Sequence, residues 1–263
     1  MIKMFSKAQK YVDDCRGIIR ADLFVSVGGV CRPAHYLRRF HLRSFSSPFD
    51  WITNYKLEHI IHFLRNDGAD FFANIEYMGD DEWVKTHSIK DTNTGMISIH
   101  DFPLNKSVEE YYPDFIAKYK RRFANLKKAL QKSKCIVFLS YRNETLQEFQ
   151  IFLNEMQKIH SAEYIFVNIR HNENLATMTK SIINMSNGGG EIIEYSFNDK
   201  HLKGSDIRLN PNAWLGNVEQ WNKIVCKFRL PLSVAFINFL NRKIDKFKRH
   251  LVKQNATSAG LLD

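Results

Sequence analysis

Cysteines are scarce in this 263-residue chain, and they are scattered: Cys15, Cys31, Cys135 and Cys226, with no Cys-x-x-Cys pair. That spacing excludes a zinc-ligand set and argues against a disulfide framework, so each cysteine is read singly. Long apolar runs are missing as well. No stretch approaches 18 consecutive apolar residues, and no transmembrane helix is expected. The first twenty residues, MIKMFSKAQKYVDDCRGIIR, lack the apolar segment of a secretory signal, so a cytoplasmic location is expected. Neither GxGxxG nor GxxxxGK(S/T) occurs, which leaves a nucleotide site without a signature. There is no RNP motif and no helix-turn-helix, so no nucleic-acid partner is expected.

What the chain does have is positive charge. Lys and Arg number 38 against 28 Asp and Glu, a net charge of +10. Such an excess favours anionic partners. Part of it is local: Arg242, Lys243, Lys246, Lys248, Arg249 and Lys253 crowd the C-terminal end. Leu232 to Val252 there has the pattern of a basic amphipathic helix. Its Phe236, Ile237, Phe239, Leu240, Ile244, Phe247 and Leu251 suit packing on the domain first, and contact with an anionic membrane face second.

Hydrophobic periodicity gives the order of elements. Residues 1–21 read as a helical lead-in. Asp22 to Val27 is a short apolar strand ended by Gly28-Gly29, and Arg32 to Phe40 reads as a helix with Pro33 in its first turn. Leu57 to Leu64 has helical spacing, Met96 to Ile99 reads as a strand running into His100, and Tyr111 to Leu130 as a long amphipathic helix. Cys135 to Leu139, Thr145 to Ile159 and Tyr164 to Ile169 form a βαβ unit. Leu175 to Met185 reads as a helix, 187–190 as a turn and Glu191 to Phe197 as a strand. Alternation of this kind predicts an α/β fold, a mostly parallel Rossmann-like sheet with helices on both faces. The expected organisation is a lead-in over 1–21, an α/β catalytic domain over 22–231 and a basic helix and tail over 232–263.

The segment VSVGGVCRPAHYLRRFHLRSFSSPFDW, residues 25–51, is the most informative. A strand ends, two glycines turn the chain, and Cys31 stands where a helix begins. A helix N-terminus presents unpaired N–H groups that favour a thiolate and could hold an oxyanion. A buried structural cysteine is the plain alternative. Farther on, Ile97-Ser98-Ile99-His100-Asp101-Phe102 delivers a histidine suited to act as base for a thiol. Asp50 and Asp101 compete to orient it, and His35 is the reserve base. Gly28 and Gly29, with Arg32, Arg43 and Arg142, are the candidates for substrate contact, since a guanidinium grips a carboxylate or phosphate bidentately. Arg38 and Arg39 read as surface residues.

These segments resemble a bacterial family of papain-like cysteine peptidases. The carrying residues are Ser26 to Arg32, Ala34, Leu37-Arg38, Leu42-Arg43, Ser47-Pro48-Phe49-Asp50-Trp51 and His100-Asp101-Phe102, within a resemblance that covers most of 22–170. Val30 stands where relatives often have asparagine, and Trp214 and Trp221 sit where the family tends to place tryptophans. The resemblance implies Cys31 as nucleophile and His100 as base, and surface-polysaccharide functions for the family. The alternating pattern differs from a papain fold, and the Gly-x-Cys turn is also similar to that of capsule-polysaccharide acetyltransferases. The leading expectation is therefore a cysteine-dependent acyl-transfer enzyme acting on a small-molecule or glycan substrate of anionic character. A coenzyme A thioester is a candidate donor, and no metal or other cofactor is called for. A peptidase or amidase, or a non-catalytic module for anionic glycan or lipid, are the alternatives.

Overall fold

The computed structural model describes residues 12–13, 17–185, 190–240 and 243–244. Its centre is a five-stranded sheet. Strands β3 (Leu23–Ser26), β8 (Cys135–Tyr141), β9 (Glu163–His171) and β11 (Gly190–Phe197) run parallel in that order. Strand β10 (Thr179–Asn184) pairs antiparallel with β11 at the edge. Every residue of β3 and of β8 from Cys135 to Ser140 is buried. This explains their continuous apolar runs, because a strand covered on both faces has no polar side to show.

Helices cover both faces. Leu23, Val25, Ile136, Phe138 and Phe166 point to one side. There they meet α2 (Leu57–Arg65), α3 (Val108–Lys132) and α4 (Leu146–Ile159). Phe24, Val137, Leu139, Ile165 and Val167 point to the other, against α1 (Arg32–Arg39) and α5 (Val218–Val225). The split follows the period of two along each strand. The βαβ unit is present as expected, and its helix is closed by a reciprocal cap between Thr145 and Glu148.

Three expectations are corrected. A single mostly parallel, Rossmann-like sheet is not what the chain builds. Residues between α1 and α3 form a separate antiparallel sheet, in the order β4 (Ile52–Thr53), β7 (Ile97–Pro103), β6 (Thr86–Asp91), β5 (Ile75–Asp81). The pattern hid β5 because nearly all of it is exposed or half-exposed and carries no apolar face. Second, 179–184 is a strand rather than helix; Ile182 and Ile183 pair with Ile193 and Ile192 across a hairpin. Third, the lead-in is not helical where it is described. Val12–Asp13 (β1) and Ile18–Arg20 (β2) are strands, and β2 pairs parallel with β12 (Phe228–Arg229). The turn expected at 187–190 lies largely outside the described residues. The C-terminal helix is described over 232–240 and 243–244, and the rest of it lies outside them.

The turn after β3 holds the fold to its site. Gly28 and Gly29 have φ of +67° and +87°, where L side chains are strained. Space forbids a side chain there too. A Cβ on Gly28 would lie 1.9 Å from the Tyr55 hydroxyl, and one on Gly29 2.0 Å from the Tyr141 carbonyl oxygen. Tyr141 N–H donates to the Gly28 carbonyl at 2.9 Å, which locks the turn to the end of β8.

Gly29→Ala is expected to lower unfolding free energy by about 2–5 kcal/mol, the left-handed strain plus the clash. Gly204→Ala is the control, because Gly204 has φ +97° but nothing within 4 Å of its Cβ position. That variant should lose only the strain, about 1–2 kcal/mol. Urea unfolding of both checks it, and equal losses would remove the clash from the account.

Candidate active site

Cys31 occupies the N-cap position of α1 without a side-chain capping bond, two residues after Gly29. His100 comes from β7 in the other sheet. The pairing of β6 with β7 shifts register between His87 and Ile89: His87 stands opposite Phe102, but Ile89 opposite Ser98. The extra β7 residues fall at 99–101, so His100 sits on a bulge. Bulges re-aim side chains, and here the ring meets the thiol, with Cys31 Sγ 3.4 Å from His100 Nε2. His100 therefore lies within β7, not at the end of a strand that stops at Ile99 as expected. The Trp51 indole packs edge-to-face on its ring, with centroids 5.5 Å apart.

The pair opens into a cleft of about 650 Å³. Its walls include Val30, Trp51, Trp83, Val84, Ile207 and Trp214. Arg32, Arg38, Thr53 and Asp81 are the polar groups at its surface. A mostly apolar cleft with a few polar groups is the usual form of a small-ligand site.

Electrostatics favour a neutral pair at rest. Burial pushes the Cys31 thiol up to about 11, and the nearby Asp50 carboxylate adds to this, against a hydrogen bond from the residue's own amide and the charge of Arg32. Burial thus works against the depressed thiol expected at the helix start. The helix is short, and Pro33 removes one of its first N–H groups. Desolvation of the charged form outweighs what remains. Burial also holds the His100 imidazole below its ordinary 6.5, with Asp101 and Asp81 pulling the other way.

Neither expected orienting carboxylate reaches His100. Asp101 points to the other side of β7, into α3. Its oxygens accept from Lys118 Nζ at 2.5 Å, Ser98 Oγ at 2.8 Å and Tyr119 OH at 2.7 Å. Burial opposes the Asp101 charge, yet these donors hold its carboxyl below the usual range. Asp50 is fully buried and folds its own loop. Its Oδ2 accepts from the Ser47 amide and from Arg43, both at 2.9 Å. Burial pushes the Asp50 carboxyl up to about 6, against Arg43. Asp50 thus shapes the turn that presents Trp51 to the cleft. His35, the reserve base, packs edge-on to Trp214 and Tyr36, with neither ring nitrogen partnered.

The arginines are redistributed as well. Arg142 is buried, braces the glycine turn and does not line the cleft. It donates to the Val27 carbonyl at 2.9 Å and the Tyr55 carbonyl at 2.7 Å, and pairs with Glu144 at 2.6 Å. Arg43 is tied to Asp50 and Ser46. Gly28 and Gly29 form the clamped turn and do not line the cleft. Arg32 does line it, but is committed to the buried Asp199 and to the Trp214 carbonyl at 2.7 Å. It thereby anchors the 199–221 segment that carries Trp214. Arg38, read as a surface residue, lies at the cleft with its guanidinium 5.7 Å from the Trp51 ring centroid.

Sequence reading missed Asp81, Trp83 and Val84, all at the β5–β6 turn. Asp81 Oδ1 accepts from the Trp83 and Val84 amides at 3.0 and 2.9 Å. The signal for them was weak. An Asp-Asp-Glu-Trp turn between strands of low apolarity looks like any polar loop.

Because the resting thiol is neutral, alkylation of Cys31 by iodoacetamide is expected to rise about tenfold per pH unit between pH 7 and 9. Cys135, buried and pushed up to about 12, should stay unlabelled in the folded protein. Peptide mapping across this pH range checks both. A Cys31 rate independent of pH would instead reveal a preformed thiolate–imidazolium pair.

The chain is 28% identical over 134 residues to an uncharacterised protein of Acanthamoeba polyphaga mimivirus, an alignment spanning 44% of this chain and 60% of that protein. The chain thus spans less than two thirds of that relative's length. No solved structure matches it. A family model covers residues 22–174, more than half of the chain and the stretch that holds both Cys31 and His100. The chain belongs to the family described as "Putative papain-like cysteine peptidase".

Proposed function

We propose that the protein is a cysteine-dependent acyl-transfer enzyme with Cys31 as nucleophile and His100 as general base. The observation that carries this is the 3.4 Å approach of Sγ to Nε2 at the floor of the cleft, made by residues from two different sheets. Bringing two polar groups together in a half-buried place costs desolvation. A module that only bound ligand would have no use for it.

The steps follow from the neutral pair. His100 Nε2 takes the thiol proton as Sγ attacks the substrate carbonyl carbon, a charge separation made during reaction and not stored beforehand. The oxyanion that forms lies beside the start of α1, where the Arg32 and Ala34 amides precede the first intrahelical bonds, supporting a role as donors. The imidazolium returns its proton to the leaving group, and a thioester to Cys31 remains. An acceptor then gives its proton to His100 and attacks the thioester, which restores the thiol. Trp51 holds the ring by packing in place of a carboxylate.

The acceptor decides the reaction class. Water as acceptor makes a peptidase or amidase, the coarse activity that the family description supports. Transfer to a sugar is favoured by the cleft itself. Trp51, Trp83 and Trp214 offer flat apolar faces of the kind that sugar rings cover, and Arg38 offers a cation for an acidic group or for the phosphates of a coenzyme A donor. On this reading the protein modifies a surface-polysaccharide precursor.

Cys31→Ser and His100→Ala should each reduce turnover by about two orders of magnitude or more without loss of fold, as checked by circular dichroism and kinetics. Activity requires neutral imidazole. The acid limb of kcat/KM is therefore expected below pH 6.5, since His100 is held under that value. A limb above it would point to a base other than His100.

Thermal shifts with acyl-coenzyme A and nucleotide sugars, run beside a peptide-library cleavage screen, separate the classes. A donor at about 100 times its Kd should add about 2.7 kcal/mol. Cys31-dependent cleavage with no donor shift would establish the hydrolase and remove the transferase.

A further inference from the structure

The helix at 232–240 is laid on the body the wrong way round for a soluble protein. Its one well-buried residue is polar: Asn238 is 6% exposed and donates to Ser44 Oγ at 2.9 Å. Its large apolar residues face out. Leu232 is 90% exposed, Phe236 61%, Ile237 55%, Phe239 54% and Leu240 43%. At 3.6 residues per turn these five span an arc of about 160°, and Asn238 lies opposite its centre. Ile244 is also exposed. The groove between this helix and β12 remains open, at about 520 Å³. The expectation that the apolar face packs on the domain is therefore not met where the helix is described.

The charge around this face says what covers it. Lys243 lies over the Phe239 ring at 5.5 Å, and Arg229 lines the groove. Neither has a carboxylate partner among the described residues. The sequence that follows adds Lys246, Lys248, Arg249 and Lys253 against Asp245 and Asp263. A second copy of the chain would set this basic region against itself. An exposed aromatic face rimmed by cations instead matches an anionic bilayer, where apolar side chains enter below the headgroups and lysines and arginines stay among them.

We infer that the apolar face of 232–240 docks the protein on an anionic membrane surface. This is independent of the chemistry at Cys31. Docking needs both terms, apolar insertion and basic charge, and neither suffices alone.

Co-sedimentation of the full-length protein tests it. Vesicles of phosphatidylcholine alone are compared with vesicles holding about 30% phosphatidylserine, at low salt and at about 1 M, where charge is screened within a few ångströms. Binding is expected to the anionic vesicles only, and to fall at least tenfold in high salt. Phe236→Ser with Phe239→Ser should weaken it at least tenfold while Cys31 alkylation stays unchanged. Sedimentation with neither vesicle, or equally with both, overturns the inference. Undiminished binding of the double variant does too. So does a solution dimer that the double variant dissolves, because a second copy would then own the face.

Discussion

Two adjacent positions in the turn after β3 have no room for a side chain, and much of the site rests on them. The Tyr55 hydroxyl fills the space beside Gly28, and the Tyr141 carbonyl fills the space beside Gly29. The turn is therefore clamped between the end of β8 and the loop that follows the Ser47–Trp51 motif. Arg142 closes the clamp from within, with its guanidinium on the Val27 and Tyr55 carbonyls and 4.6 Å from the Tyr55 ring centroid. A polar group so buried is costly unless it is bonded, and a bonded one defines a single arrangement. Cys31 inherits its position from this arrangement.

The second sheet supplies the other half. Its bulge aims His100 at the thiol, while the neighbouring Asp101 turns into α3 and joins Lys118, Tyr119 and Ser98. Adjacent residues thus serve opposite sides of one strand. One meets the cleft and the other fastens the strand to the long helix behind it. The cysteine thus comes from a helix start beside the parallel sheet, and the histidine from the antiparallel sheet.

Legibility in the sequence followed burial. Strands β3, β8, β9 and β11 and helices α1, α3 and α4 were readable because each buries a strong apolar pattern. Cys31 was readable from the glycines before it and the helix after it, and His100 from the apolar strand around it. Strands β5 and β10 were not, since their exposed faces leave little periodicity. Side-chain roles were harder still. Asp50, Arg43 and Arg142 are polar residues in the right neighbourhood, and only their partners distinguish a brace from a substrate contact. The raised thiol was out of reach for a similar reason: residue order shows a helix start, while desolvation depends on everything packed around it.

Trp83 stands 59% exposed at the tip of the β5–β6 hairpin, which forms one rim of the cleft. Strand β5 is an outer edge, and past Ile75, which packs on the core, its side chains are exposed or half-exposed. The opposite rim, at Trp214, is tethered through Arg32 to the buried Asp199. The cleft thus has one wall fastened to a buried carboxylate and one wall carried on an exposed hairpin. A longer or shorter hairpin tip would reshape the mouth of the cleft and leave the Cys31–His100 pair in place.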